Sequence, residues 1–256
     1  MNRLIVVMLS VVFMIVMTGC TGMIDRIPKD NVMVKKITKE ETVNEIEYEG
    51  VLSQVAIKTL SLNAVKTYLD ENITMEDIQY ELLLIDQSSL KDFLIETENG
   101  RVPEGELSAV LPQVMRKYEA YLEPIVNGLY FVTITKQSDP REVYKIVLNA
   151  KEGDVLQVIK LEIVTSNLSY DEVDQDKVNE IANAFIEKKG DYSLSDLSKR
   201  DEFTRWTNKV MLYYDSIDSN ELKYIVEVNV RDQKVVGFSK DVMAFLVYYN
   251  ACCVWR

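Results

Sequence analysis

Histidine is absent from all 256 residues of the chain. That removes the commonest general base, proton shuttle and metal ligand together. Ser-His-Asp triads, Cys-His dyads and His-ligated zinc are thereby excluded. Glycine (9) and proline (5) are scarce, which argues against a disordered chain and against a Gly-rich phosphate-binding fold. Positive charge is also in deficit: 29 Lys+Arg face 41 Asp+Glu, for a net charge of −12. Nucleic acid is therefore not an expected partner, because phosphate binding needs concentrated positive charge. Hydrophobic residues make up 47% of the chain, ample for a packed core in one or two domains.

The N-terminus carries the most specific signal. Arg3 supplies a positive charge, Leu4 to Met17 is almost wholly apolar, and Thr18-Gly19-Cys20 follows. This is the layout of an export signal. Fourteen apolar residues rise only about 21 Å as a helix, short of a ~30 Å hydrocarbon core. Val16-Met17-Thr18-Gly19-Cys20 resembles a bacterial lipobox, with Met17 where Leu is usual. That resemblance implies cleavage before Cys20, a diacylglyceryl group on its thiol, and a cell-membrane protein facing away from the cytoplasm. The other reading is an uncleaved anchor, since Leu4 to Ile24 contains no charge. Both readings place the globular part outside the cytoplasmic membrane. Loss of residues 1–19 takes Arg3 with it and moves the charge to −13, which anionic headgroups would repel. Residues 20–50 read as a solvated tether, with Thr42 to Tyr48 as an alternative edge strand.

Beyond the tether the pattern is α+β, a helix followed by an antiparallel meander, twice over. In the first unit, 51–165, Ile57, Leu60, Ala64, Val65 and Tyr68 share one helical face between Ser53 and Asp70. Ile78 to Asp86 reads as a strand, Ser89 as the N-cap of a helix, and Met115 to Tyr121 as a short helix. Leu129 to Lys136, Val143 to Asn149 and Asp154 to Val164 read as strands. In the second unit, 170–244, Asp174 to Lys189 is helical and Gly190 stands at its C′ position. Val210 to Asp215, Leu222 to Val230 and Lys234 to Lys240 are strands. Residues 245–256 are left as a tail, although Asp241 to Tyr249 fits a final helix.

The two units align without a gap at an offset of 80 residues: Tyr144 to Asn149 on Tyr224 to Asn229, Val155 on Val235, Lys160 on Lys240. Either a duplication or the common physics of β-hairpins accounts for this. A helix with a meander, closing on a hairpin of this form, resembles the PepSY domain family. The turn that is usually Asp-x-x-x-Gly-x-Val stands here as Asn149…Gly153…Val155 and Asn229…Gln233…Val235; the first unit carries an insertion near 97–125. The resemblance implies tandem cystatin-like α+β units outside the cytoplasm that bind and regulate peptidases.

Catalytic motifs are missing: no nucleophile elbow, no P-loop and no dinucleotide fingerprint occurs. Ser195, Ser198 and Lys199 contain a Ser-Lys pairing, but either serine also suits the cap of a helix running toward Trp206. Asp171 to Asp176 lacks the central Gly of a calcium loop and suits a helix N-terminus. No catalytic residue, metal ligand or cofactor is therefore expected. Tyr213, Tyr214, Phe238, Phe245, Tyr248, Tyr249 and Trp255 are either core or a partner-binding patch. Cys252-Cys253 is either terminal packing or a redox or dimer-forming tail. The expected function is a non-catalytic, lipid-anchored module binding an extracytoplasmic protein or peptide, with the sheet edges able to add a partner strand. The alternatives are a small-ligand or cation-binding lipoprotein, or a hydrolase using carboxylates or the Ser-Lys pair.

Overall fold

A computed structural model describes residues 35–36, 50–99, 118–161, 173–206 and 208–254. The segment before residue 35, with the expected export signal and Cys20, lies outside the described residues, as does Thr42 to Tyr48. Lys35–Arg256 makes one compact unit. Among the described residues, no helix is long and apolar enough to cross a membrane.

The first unit starts at Ser53, whose hydroxyl accepts the Ala56 N–H and caps α1 (Gln54–Leu69). Ile57, Ser61, Ala64 and Val65 turn inward, and Ser61 satisfies its buried hydroxyl on the Ile57 carbonyl. The helix ends at Asp70, in the left-handed conformation. Strand β2 (Ile78–Ile85) follows, with two residues of β1 (Lys35–Lys36) paired against its outer edge. Helix α2 (Gln87–Asn99) begins three residues before the expected start. Its cap is Asp86, whose carboxylate accepts from the Ser88 hydroxyl and the Ser89 N–H, rather than Ser89. A helical turn at 118–122 precedes β3 (Leu129–Lys136), β4 (Val143–Asn149) and β5 (Val155–Leu161). At Gly128 (φ +86°) a Cβ would lie 2.1 Å from the Ile85 carbonyl oxygen, so the chain can cross there only as glycine.

The second unit repeats this plan. Asp174 caps α3 (Gln175–Lys189) by accepting the Lys177 N–H. Gly190 closes that helix without the expected left-handed turn: its φ is −83°, and its N–H bonds Ile186. Glycine is required there because a Cβ would meet the Ile186 carbonyl at 2.5 Å. The expected helix toward Trp206 is overturned, since Leu197–Trp206 is strand β6. Ser193, not Ser195 or Ser198, caps the single 3-10 turn that precedes it. Then come β7 (Lys209–Ser216), β8 (Leu222–Asn229), β9 (Lys234–Lys240) and α4 (Asp241–Val254). Helix α4 runs on through Phe245 and Leu246, which are buried.

The strands form one antiparallel sheet in the order β1-β2-β3-β4-β5-β9-β8-β7-β6. The two meanders meet where β5 pairs with β9, through Gln157↔Ser239, Val158↔Phe238 and Ile159↔Gly237. Their side chains add a buried bond between Gln157 and Ser239 (2.8 Å). Helices α1 and α3 lie over one face around Tyr68, Phe185 and Phe238, whose ring centroids are 4.6–6.4 Å apart. Lys189, in the last turn of α3, reaches the Tyr68 carbonyl and the Asp70 carboxylate at the end of α1. Positive charge is favoured at that helix end. On the opposite face, α2, the 118–122 turn and α4 share a second core around Leu94, Leu122 and Phe245.

The 80-residue offset survives in atomic detail. Tyr144 faces Lys160 as Tyr224 faces Lys240, and each hairpin carries a β-bulge at the same step, Val147/Leu148 and Glu227/Val228. Lys160 bonds Glu71 just after α1, and Lys240 bonds Asp191 just after α3. Tyr144 donates to Glu71, while the Tyr224 hydroxyl accepts the Asp191 N–H. The units differ chiefly between their first and second strands. The first inserts α2 and the 118–122 turn; the second has two residues of chain between β6 and β7.

Candidate functional site

Strand β6 is the outer edge beyond β7, and its sequence makes it a poor template for a partner strand. Lys199 pairs with Tyr214 and Phe203 with Leu212, so four steps on β6 face two on β7. The surplus forms a bulge carrying Arg200, Asp201 and Glu202. Bulges and charge are the means by which sheet edges avoid further pairing.

The bulge instead delivers Arg200 to the side of the sheet that bears α4. Its Nε and Nη2 donate to the two carboxylate oxygens of Asp215 (2.7 and 2.8 Å), and its Nη1 donates to Glu202 (3.0 Å). This bidentate pairing, with Asp215 foremost, holds the guanidinium well above its ordinary pKa. The guanidinium also lies 4.8 Å from the Tyr248 ring centre, and the Tyr248 hydroxyl donates to Glu202.

Arg200 and Tyr248 form one wall of a crevice of about 320 Å³. Phe245 and Tyr121 form its floor, stacked nearly parallel (13°) with centroids 4.4 Å apart. The opposite wall is the β7–β8 turn. There the Ser216 N–H bonds the Glu221 carbonyl, the Asn220 N–H bonds the Ser216 carbonyl, and Asn220 adopts φ +54°. Asparagine tolerates that left-handed position better than most residues. Ser219 and Asn220 are exposed at the rim, and Leu222 is buried at the base. A hydrogen bond from Lys223 (3.0 Å) holds the Glu221 carboxyl below the usual carboxylate range. Burial pushes the Tyr121 phenol up, and the Glu221 charge adds to it.

The aromatic residues noted in the sequence divide between the two faces. Tyr214 points toward α3 and bonds Asn183 (2.8 Å); Tyr213 bonds Thr204 and meets Tyr248 edge-on. Phe238 is core, while Phe245 and Tyr248 line the crevice. The side chains of Tyr249, Cys252, Cys253 and Trp255 lie outside the described residues. Ser195 bonds Ser193 (2.8 Å), and Lys199 donates to the Arg200 carbonyl (3.1 Å). The structure therefore does not join them into a nucleophile-base pair. Asp174 and Asp176 serve the start of α3. Among the described residues, no three Cys, Asp or Glu side chains converge as a metal site. Sequence reasoning missed Arg200, Tyr121 and Glu221, because they come from three separate segments that only the sheet topology brings together.

No known family model matches this chain, and no curated protein does. Among solved structures, it is similar to the Bacillus megaterium YpeB C-terminal domain at 14% identity and a TM-score of 0.42. The overlap is 77% of this chain and 66% of that one. A protein of unknown function from Clostridium leptum DSM 753 is similar at 14% identity and a TM-score of 0.41, over 80% of this chain and 97% of the other.

Proposed function

We propose that this chain is a lipid-anchored, extracytoplasmic module that binds a peptide or protein segment and performs no chemistry on it. The observation that carries the reading is the crevice between Tyr121, Phe245, Tyr248 and the β7–β8 turn. It is a concave, aromatic-floored site with a few fixed polar groups, the form that recognition sites take. It stands beside an edge strand that discourages strand addition, so recognition falls to side chains. The Gly19-Cys20 junction supports the anchor. The charge of the chain supports a body held off an anionic membrane surface.

Two experiments test this. Metabolic labelling with an alkyne fatty acid should mark the native protein and not Cys20→Ala; equal labelling of both contradicts the anchor. Pull-down from detergent-solubilised membranes should recover a discrete protein with the native chain. It should lose that protein with Ala120→Trp, which fills the crevice from an exposed position on its rim. Identical recoveries from the two contradict the assignment. A small-ligand reading is favoured by the modest volume of the crevice. Under that reading a compound library, rather than a peptide, would raise the melting temperature by mass action.

A further inference from the structure

We propose that the crevice takes a single basic side chain, Lys or Arg, from the partner segment; this rests on the binding reading above. The charge balance around the crevice decides the sign of the ligand. Among the described residues that line it the one cation is Arg200, which Asp215 and Glu202 already neutralise, and Tyr248 covers a face of its guanidinium. An incoming anion would meet the repulsion of the carboxylates that already hold Arg200 in bidentate geometry. A cation faces no such repulsion from them. Glu202 and Glu221 retain solvent exposure, with side-chain values of 54% and 41%, so each can meet a ligand at the rim. Lys223, which holds one oxygen of Glu221, is also shared with Asp241 (3.8 Å). Among the described residues, the ion pairs of Asp215, Glu202, Glu221 and Asp241 run to Arg200 and Lys223, four carboxylates against two cations beside the crevice.

The remaining features suit the rest of such a side chain. Phe245, Leu222 and the Tyr121 ring provide an apolar bed for a methylene stem, while the charged head stays at the wet rim. The net charge of −12 attracts basic segments over a distance and raises their rate of encounter. The exposed Asn220 and Ser219 offer amide and hydroxyl groups to the backbone that carries the side chain.

The test uses the full-length chain in lipid nanodiscs, panned against a library of random nonapeptides at about 0.15 M salt, where long-range attraction is screened. The expected result is enrichment of Arg or Lys at one fixed position. Affinity for a selected peptide should fall about tenfold in Glu221→Gln, and by a similar factor when the basic residue of the peptide becomes norleucine. Unchanged thermal melting of Glu221→Gln would show that the loss is not one of folding. Basic peptides whose binding ignores both Glu221→Gln and Ala120→Trp would overturn the proposal, because they report only the acidic surface. Enrichment of acidic or apolar peptides, abolished by Ala120→Trp, would overturn the basic-side-chain assignment and leave peptide binding standing. Enrichment of no sequence would overturn both.

Discussion

Asn149 and Asn229, 80 positions apart, perform one task at two places. Each stands at the end of a strand and accepts two backbone N–H groups of the following turn through its side-chain carbonyl. For Asn149 these are Lys151 and Glu152 (2.9 and 3.1 Å); for Asn229 they are Arg231 and Asp232 (3.0 and 3.1 Å). Both asparagines are buried. Replacing either with Ala leaves two turn donors without their partner, and each substitution should cost about 1–3 kcal/mol in urea unfolding. A loss at one site and none at the other would contradict the equivalence of the hairpins.

The same two turns make a prediction of opposite signs. Gly153 (φ +78°) and Gln233 (φ +51°) occupy matching left-handed positions, but only the first is glycine. Gln233→Gly should therefore stabilise the chain, by up to about 1 kcal/mol once the extra chain entropy of glycine is offset. Gly153→Ala should destabilise it, since a Cβ there meets Leu60 and Leu52 at 2.8 and 2.9 Å. Thermal melting of the two variants checks both signs.

The junction of the units should not come apart by itself. Phe238 is buried on β9 between Tyr68 of α1 and Phe185 of α3, beside the β5–β9 ladder. Phe238→Ala should cost about 3–5 kcal/mol and keep a single unfolding transition. Two resolved transitions in calorimetry would show that the halves fold independently.

Alkaline pH should unfold the protein. Burial raises the phenols of Tyr214 and Tyr224, and burial together with the Glu71 bond raises that of Tyr144. Burial would lower Lys240, but its pairing with Asp191 outweighs this and leaves it raised. A group with a raised folded pKa contributes stability that is complete below its unfolded value and is lost as pH rises through the folded one. Stability should thus hold to about pH 10 and then fall steeply. Tyrosinate absorbance should appear together with the loss of far-UV circular dichroism. Gradual ionisation of every tyrosine in a chain that stays folded would contradict the burial assigned to them.

Much of this architecture was legible because hairpins and amphipathic helices write themselves locally. The Ile57–Tyr68 face, the Asp174–Lys189 helix and the paired Tyr…Asn strands all follow from spacing within one element. Strand β6 was not legible. As a bulged edge strand with Lys199, Arg200, Asp201 and Glu202 in succession between Leu197 and Phe203, it shows no apolar alternation, and its serines imitate a helix cap. The start of α2 was misplaced because Asp86 and Ser89 are both good caps, and only the backbone shows which accepts the N–H groups. The crevice was illegible for a different reason. Tyr121 lies in the insertion of the first unit, Arg200 on the second unit's edge and Phe245 on the last helix. Their meeting depends on β5 pairing with β9.

Site-specific photo-crosslinking in intact cells tests most directly whether a partner sits in the crevice. A benzoylphenylalanine at Ser219, exposed on the crevice rim, is compared with one at Val55, an exposed position at the start of α1. The expected result is a discrete crosslinked protein from position 219 that is absent from position 55, weakened by Glu221→Gln and lost with Ala120→Trp. Equal crosslinking from both positions, or from position 55 alone, would contradict that placement of the partner.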